Sequence, residues 1–480
     1  MAVLFSRAKG EYGKAKPFVS FALLLAWHFC FWFSPASITF APLLDLGVTE
    51  SWLAYLLASS CALLFAVAFL RSSRRLKATP RASLGCAAVL SAASLAFSFG
   101  LFSGSPAHSY GLPSLIGASE ALCFILWGEF FSREDYDVSP LRAIGAASSV
   151  LLFAVGLFAF LPPIVAPIGA ALLPLASAFL SSVDDGDGKD SLSPVLKPAP
   201  MRKDALKNIA TVSAISLVAG FACFHLITIV PLDDLVGGEW VYYNGVLAGT
   251  LSIFFVSLVG ARAHKGSPFK ILSWLLVLVC VAFAVQLGVG RPANPFSFFM
   301  AASAYTAFEL LLILYFAIIV QKGCATPAIA FGASMALFRL GVLGGNVLSL
   351  WLEGQSLQSS DIAHWAASLS LCAVIVLIVP LLNEGDFMNQ LAAKRPVSPD
   401  DALLEACRAT AAEFDLSKRE FEVLTLLMKG YAIENIAEEF VISPYTVRAH
   451  VRHIYAKVGI HKRAELFSYV KEQIGEPSSS

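Results

Sequence analysis

Six ionisable side chains stand out inside long apolar stretches of this chain as candidates: His28, Glu120, Glu129, His225, Glu309 and Arg339. Ionisable groups in such surroundings are costly and turn toward a partner, a cavity or a ligand. Glu309 and Arg339 lie near the middles of consecutive apolar runs that cross in opposite directions. At the helical rise their depths agree within about one turn, which predicts an ion pair. The planar fork of Arg339 also matches a carboxylate or a phenolate bidentately. A pair that only fixes helix packing is the alternative. His28 stands among Trp27, Phe29, Phe31, Trp32 and Phe33. Those rings are expected to face lipid, with a pocket lining as the other reading. Glu129, near the end of its run, is expected to be hydrated, and His225 to make a hydrogen-bonded helix contact. Glu309, Arg339, Glu120 and His28 form the candidate ligand-binding set.

A second group of residues, near the C-terminus, suits different chemistry. Arg448 and Arg452 are four apart, so on a helix they point into one groove, and arginine reads guanine O6 and N7 bidentately. Tyr445 and Ala449 share that outer side. Ser443 and Thr446 sit where a helix would begin, a place that favours a phosphate. Residues 440–463 hold five Lys/Arg and no acid, within a segment, 400–480, that carries 10 Lys/Arg and 13 Asp/Glu. A local basic stripe on an otherwise acidic segment fits a nucleic-acid face, which Lys457, Lys462 and Arg463 extend.

Other chemistries find no footing. The nine cysteines have no CxxC or Cys/His metal spacing and read as small packing residues. There is no Gly-rich nucleotide loop, receiver-type acidic pocket or nucleophile elbow. The expectation is therefore a protein that is not an enzyme, with no catalytic residues, no metal and no cofactor.

The elements that must position these residues follow from composition. Of 480 residues, 57% are hydrophobic and 14% charged, against roughly 25% charged in an average soluble protein. That surplus of apolar surface points to a bilayer. Twelve apolar segments run near 18–37, 51–70, 82–103, 110–132, 140–161, 164–182, 208–230, 241–260, 271–289, 296–320, 328–351 and 362–382. Each approaches the ~20 residues that cross the hydrocarbon, and each is expected to be helical, because its backbone needs internal partners there. Pro35, Pro113 and Pro174 are expected to kink helices. Arg7, Lys9, Lys14 and Lys16 precede a full-length first run without a clear cleavage site, which reads as a retained span. With the N-terminus inside, the inner segments before residue 383 carry 20 Lys/Arg and the outer loops one, Arg291. This split predicts a multi-pass protein of the inner (cytoplasmic) membrane with both termini in the cytoplasm.

The polar stretch 183–207 divides the spans six plus six. This layout resembles the major facilitator superfamily, in which two six-helix halves enclose a cavity. The loop Leu70-Arg71-Ser72-Ser73-Arg74-Arg75-Leu76-Lys77 has the basic residues that this superfamily often carries there but lacks its Gly and Asp.

From 416 the pattern changes to four short helices. The first begins at Ser417 with Glu420 three residues on, a capping box, and stops at Gly430. The second covers about 433–440, and a turn through Val441 and Ile442 follows. The third starts at the N-cap Ser443 with Pro444 at its first position and runs to Val458, ended by Gly459. Val447, Val451, Ile454 and Val458 form its inner stripe. The fourth covers about 463–472. This order resembles the DNA-binding domain of LuxR-type regulators. The matching residues are Leu416, Arg419, Glu420, Glu422, Val423, Leu424, Gly430, Ile436, Ala437, Ile442, Ser443, Thr446, Val447, His450, Ile454, Lys457, Arg463 and Glu465. The resemblance implies that the third helix enters the major groove, that Arg448, Ala449 and Arg452 read bases, and that Thr446 and Lys457 hold phosphates. It also implies double-stranded DNA as partner and dimerisation aided by the fourth helix. Ala432 stands where the family often has a Ser or Thr cap.

The whole reads as an all-α chain: a twelve-span membrane domain (1–382), a linker (383–415) in which 401–412 form a short helix, and a LuxR-type helix-turn-helix (416–474). It resembles the membrane-bound LuxR-type regulators of some actinobacteria. A one-component regulator that senses a small molecule in the bilayer is the leading expectation. The alternatives are a major-facilitator-like transporter with an added regulatory domain and a constitutive membrane-tethered DNA-binding protein.

Overall fold

The computed structural model describes residues 2–34, 50–70, 79–131, 140–182, 203–229, 238–263, 270–321, 325–354, 361–382, 399–440 and 442–475. The basic loop 71–77, Pro35, Cys324, Val441 and most of the stretch 183–207 lie outside these residues. Contacts divide the chain into two units, Met1–Ala393 and Lys394–Ser480.

The first unit is a polytopic membrane helix bundle. Among the described residues its helices are α1 (Ala2–Phe33), α2 (Glu50–Phe69), α3 (Pro80–Ser98), α4 (Leu112–Phe131), α5 (Pro140–Phe158), α6 (Val165–Ser182), α7 (Lys203–Ile229), α8 (Gly238–Ala263), α9 (Lys270–Val289), α10 (Asn294–Gln321), α11 (Ser334–Gly354) and α12 (Asp361–Leu382). Each falls on one of the twelve apolar segments. Seven of them hold described stretches long and apolar enough to cross a membrane, and five hold shorter apolar stretches. The outer surface is apolar, with Phe65 70% and Phe153 73% exposed, whereas His28, Glu120, Glu309 and Arg339 are buried. Polar inside and apolar outside is the arrangement that suits a lipid solvent. The rings of α1 run against expectation: Trp27 and Phe29 are fully buried. They pack among other helices because α1 is covered by α5 and α6. Glu129, expected to be hydrated, is buried as well.

Packing repeats after six helices. In the first half α1 packs on α5 and α6, α2 on α4, and α3 on α4 and α6. In the second half α7 packs on α11 and α12, α8 on α10, and α9 on α10 and α12. The joints between halves, α2 with α11 and α5 with α8, exchange under the same shift. The α7–α11 joint brings backbones together: a Cβ on Gly341 would meet Leu217 O at 2.0 Å, and one on Gly345 would meet Phe221 O at 2.4 Å. Small residues four apart permit this approach.

Among the described residues two π-helical turns interrupt the bundle, Ala107–Gly111 before α4 and Ala328–Ala333 before α11. Pro113 follows the first of them, and Leu112 N–H bonds Ala107 O across five residues. Pro113 thus stands at the helix start rather than at a mid-span kink. A proline lacks the N–H and crowds the preceding turn, which favours such a local widening. Pro174 lies inside α6.

The second unit holds α13 (Pro399–Glu413), α14 (Lys418–Met428), α15 (Ile433–Glu439), α16 (Pro444–Val458) and α17 (Arg463–Gly475). Val423, Leu424, Leu427, Ile436, Val447, Val451, Ile454, Leu466 and Val470 form its core. Helix α13, within the stretch read as linker, packs on α14 and α17 and adds Ala406 and Cys407 to that core. Its own spacing supplies the reason: Leu403, Ala406, Cys407 and Thr410 fall on one stripe. Burial pushes the Cys407 thiol up to about 11, in keeping with an inert packing residue.

Candidate functional site

Helix α16 is built to present one face. Ser443 caps it, accepting from Thr446 N–H at 3.1 Å, with Pro444 in the first turn. Gly459 ends it in the left-handed region at φ +75°. Val447, Val451 and Ile454 are locked in the core, and Val458 packs at its margin. The opposite side carries exposed Tyr445, Arg448 and Arg452, with Ala449 half-buried beside them. Ser443 and Thr446 are exposed at the helix start, their hydroxyl oxygens 2.8 Å apart. Arg448 Nη2 donates to Glu434 Oε1 of α15 at 3.3 Å, an exposed contact that a stronger acceptor can displace.

Lys457 and Arg463 are exposed, and each also bonds within the module. Lys457 Nζ bonds Glu420 Oε2 at 2.8 Å and Asp415 O at 2.8 Å. Five residues beyond Arg452, it is rotated about 140° from the reading face. It ties α16 to the start of α14. The phosphate contact assigned to Lys457 therefore has to compete with an internal ion pair. Glu420 also completes the capping box, accepting from Ser417 N–H at 2.7 Å. His453 Nδ1 lies 3.8 Å from its other oxygen. Burial raises the Glu420 carboxyl, but the bonds from Lys457 and Ser417 outweigh it and hold it down at about 2. Arg463 donates to the carbonyls of Leu427 and Tyr431, closing the end of α14. At α15 the N-cap Ala432 makes no side-chain cap bond.

The bundle gathers all four candidate ligand residues. Arg339 of α11 pairs with Glu120 of α4, Nη1 to Oε2, at 2.7 Å. The same nitrogen donates to Ser59 of α2. His28 of α1 sets Nδ1 3.1 Å from Glu120 Oε1, and Nε2 3.9 Å from Glu309 Oε2 of α10. Tyr55 of α2 donates to Glu120 Oε2, and Tyr305 OH lies 3.5 Å from His28 Nε2. The predicted Glu309–Arg339 pair is thus replaced by Glu120–Arg339. The reason is tertiary: α2 packs on both α4 and α11 and brings Glu120 of the first half to Arg339 of the second. Gly117, one turn before Glu120, allows this closeness, because a Cβ there would meet Tyr55 O at 2.5 Å. The Arg339 guanidinium lies over the rings of Tyr55 and Phe124 at 5.2 and 5.6 Å. His225 makes a helix contact, its Nδ1 2.9 Å from Ser349 Oγ.

Tyr55, Ser59 and Tyr305 escaped the sequence reading, which weighed only ionisable groups. A signal for Tyr55 was present. Trp52-Leu53-Ala54-Tyr55 of α2 recurs as Trp240-Val241-Tyr242-Tyr243 of α8, its counterpart in the other half. His28 and Glu120 likewise recur on α7 and α10 as His225 and Glu309. Among the described residues no group of three or more His, Cys, Asp or Glu is placed to hold a metal ion.

Residues 415–470 match the family described as bacterial regulatory proteins, luxR family. The oxygen regulatory protein NreC of Staphylococcus aureus, in strains JH9 and Mu3 among others, is 48% identical over 54 residues. That alignment covers 11% of this chain and 25% of the relative, so the chain spans about a quarter of the curated relatives it matches. Among solved structures, the crystal structure of the human organic anion transporter MFSD10 (TETRAN) is similar at a TM-score of 0.45 and 14% identity, covering 76% of this chain and 97% of that one. The C-terminal module is a helix-turn-helix domain of the LuxR type.

Proposed function

We propose that the protein is a one-component transcriptional regulator held in the cytoplasmic membrane. Its C-terminal module binds duplex DNA by setting α16 in the major groove. Arg448 and Arg452 read base edges there, while Ser443 and Thr446 hold a phosphate at the helix start. The observation that carries this reading is the face of α16: two arginines one turn apart are exposed on a helix whose other side is fixed in a core. The charge split of the loops supports cytoplasmic termini, so that the module shares a compartment with DNA. The bundle acts as the sensor. Its central polar cluster draws on both halves, so a small molecule bound there changes how the halves meet and, through them, how the module docks or dimerises. A bias of this kind requires the molecule to bind one arrangement more tightly than the other.

Gel shifts with the fragment 394–480 test the DNA reading. Specific binding to its own promoter region is expected, and equal binding to scrambled duplex overturns it. Reporter fusions test the topology: fusions at Val183 and at the C-terminus should report inside, and one at Gly237 outside. An outside signal at the C-terminus removes the DNA-binding reading altogether.

A further inference from the structure

The charged atoms at the centre of the bundle are not all matched. Arg339 uses Nη1 for Glu120 and Ser59, while its Nε and Nη2 are buried without a hydrogen-bond partner. These two atoms form one edge of the guanidinium, the edge that takes an oxygen pair bidentately. Glu309 Oε2 is also buried without a hydrogen-bond partner, its ion-pair neighbour His28 Nε2 lying 3.9 Å away. Leaving such atoms unpaired costs more than any other polar burial, so native structures keep them where they serve a purpose.

Charge narrows what can meet both atoms. Two carboxylates, Glu120 and Glu309, stand against one guanidinium and one imidazole. With His28 neutral this set carries one net negative charge, and with His28 protonated it carries none. In neither state does the set hold a surplus positive charge for an anionic guest. A guest with a protonated amine supplies the donor for Glu309 and balances its charge. An oxygen acceptor on the same molecule meets the Arg339 edge. The surroundings are aromatic: Tyr305 packs edge-on to Phe224 at 4.8 Å and stacks on Phe338 at 5.5 Å, while Trp52 stacks on Tyr55 at 5.2 Å. Such faces favour a flat apolar body and attract a cation.

We propose that this cluster is a binding site for a small amine bearing a carbonyl or carboxylate oxygen, the amine donating to Glu309 and the oxygen accepting from the Nε/Nη2 edge of Arg339. The proposal rests on the sensor reading for its biological meaning but not for its chemistry. The guest lies where the halves meet, since its two bonding partners, Glu309 and Arg339, come from the second half, while Glu120 and Tyr55, packed against Arg339, come from the first. In the present arrangement His28, Glu120, Glu309 and Arg339 are all within 2% of full burial, so entry needs helices to part. Helices α4 and α11, which carry the central pair, each begin with a π turn. Such turns give a helix room to shift its register.

The test uses the full chain in lipid nanodiscs and four probes: phenylalaninamide, phenylalanine, 3-phenylpropionamide and 3-phenylpropionate. Calorimetry and tryptophan fluorescence are to be read together, since Trp52 lies in the shell. The expected order is phenylalaninamide and phenylalanine first, then the neutral amide, then the anion. Glu309→Gln should weaken the two amines about tenfold, equivalent to about 1.4 kcal/mol, and leave the neutral amide unchanged. Arg339→Lys should weaken both amines and the amide, because lysine lacks the fork. Size-exclusion profiles show whether each variant is folded, and the wild-type probe order decides the matter where one is not. Binding of the anion as tight as that of the amines overturns the proposal, and so does the absence of binding by all four up to about 10 mM. A transcription reporter separates the two readings. Binding without any change in transcription removes the sensor role and keeps the site. A transcriptional response retained in folded Glu309→Gln and Arg339→Lys proteins keeps the sensor and removes the site.

Discussion

Glu420 in the C-terminal module and Glu120 in the bundle are both almost fully shielded, at 5% and 0% exposure, and each meets a cation within 3 Å. The surroundings differ. Glu420 faces a lysine that is itself 39% exposed and the cap N–H of Ser417, both on Oε2, with His453 3.8 Å from Oε1. Every part of that arrangement serves the fold, fastening α16 to α14. Glu120 faces an arginine that is 3% exposed, and around the pair are charged atoms with nothing to bond. A carboxylate at the edge of a small domain can be satisfied by its own chain. One at the centre of a bundle binds its helices together and still leaves atoms for something else.

Removing the cation should separate the two cases most sharply. Arg339→Leu leaves Glu120 charged and buried without its partner, an outcome that costs about 3–5 kcal/mol. Thermal unfolding of the full chain in detergent measures it. The double variant Glu120→Gln, Arg339→Met should recover most of the loss, since the pair itself then buries no unmatched charge. No recovery would mean that the pair shapes the helices beyond compensating charge.

Acid should act on Glu420 in the fragment 394–480. The groups facing this carboxyl are Lys457, His453 and Ser417. Its native value of about 2 lies below the ordinary 4.5, so the unfolded chain takes up the proton first as pH falls. The stabilisation is therefore fully present above about pH 4.5 and is lost as pH drops toward 2, by about 2–3 kcal/mol. Denaturant melts between pH 6 and 2 check this. Lys457→Met should flatten the profile, and an unchanged profile in that variant would break the account.

The reading face should behave as neither of these. Arg448→Ala and Arg452→Ala should leave stability within about 1 kcal/mol, because the Arg448–Glu434 contact is exposed. Each should cost about 1–3 kcal/mol in discrimination between target and scrambled DNA. Equal losses on both duplexes would make these arginines phosphate contacts. The smallest effect belongs to the uncapped helix. Ala432→Ser gives α15 a cap and should stabilise the fragment by about 1 kcal/mol.

The module was nearly legible from its residues, because its signals are local. The capping box at Ser417 and Glu420, the Ser443-Pro444 start and the Gly459 stop each fix a helix end within four residues of chain. What was missed there required contacts across long separations, as when Lys457 reaches back to Glu420 and α13 packs into the core. In the bundle the helices were legible for another reason: a bilayer admits only apolar segments of one length, so number and extent follow from composition.

Sequence alone therefore determined twelve apolar helices, the division after six, and a capped helix-turn-helix with two arginines one turn apart. It also marked His28, Glu120, Glu309 and Arg339 as groups that need partners. Only the tertiary structure decided which partners they have. Depth along a helix is a one-dimensional quantity, and it put Glu309 opposite Arg339 on the neighbouring span. Pairing depends on which helices touch, and α2 carries α4 against α11, giving Arg339 to Glu120 from the other half of the chain. That same joint left one edge of Arg339 and one oxygen of Glu309 unmatched, because Glu120 engages Nη1 alone and Glu309 is held on another helix, out of hydrogen-bond reach of the free edge.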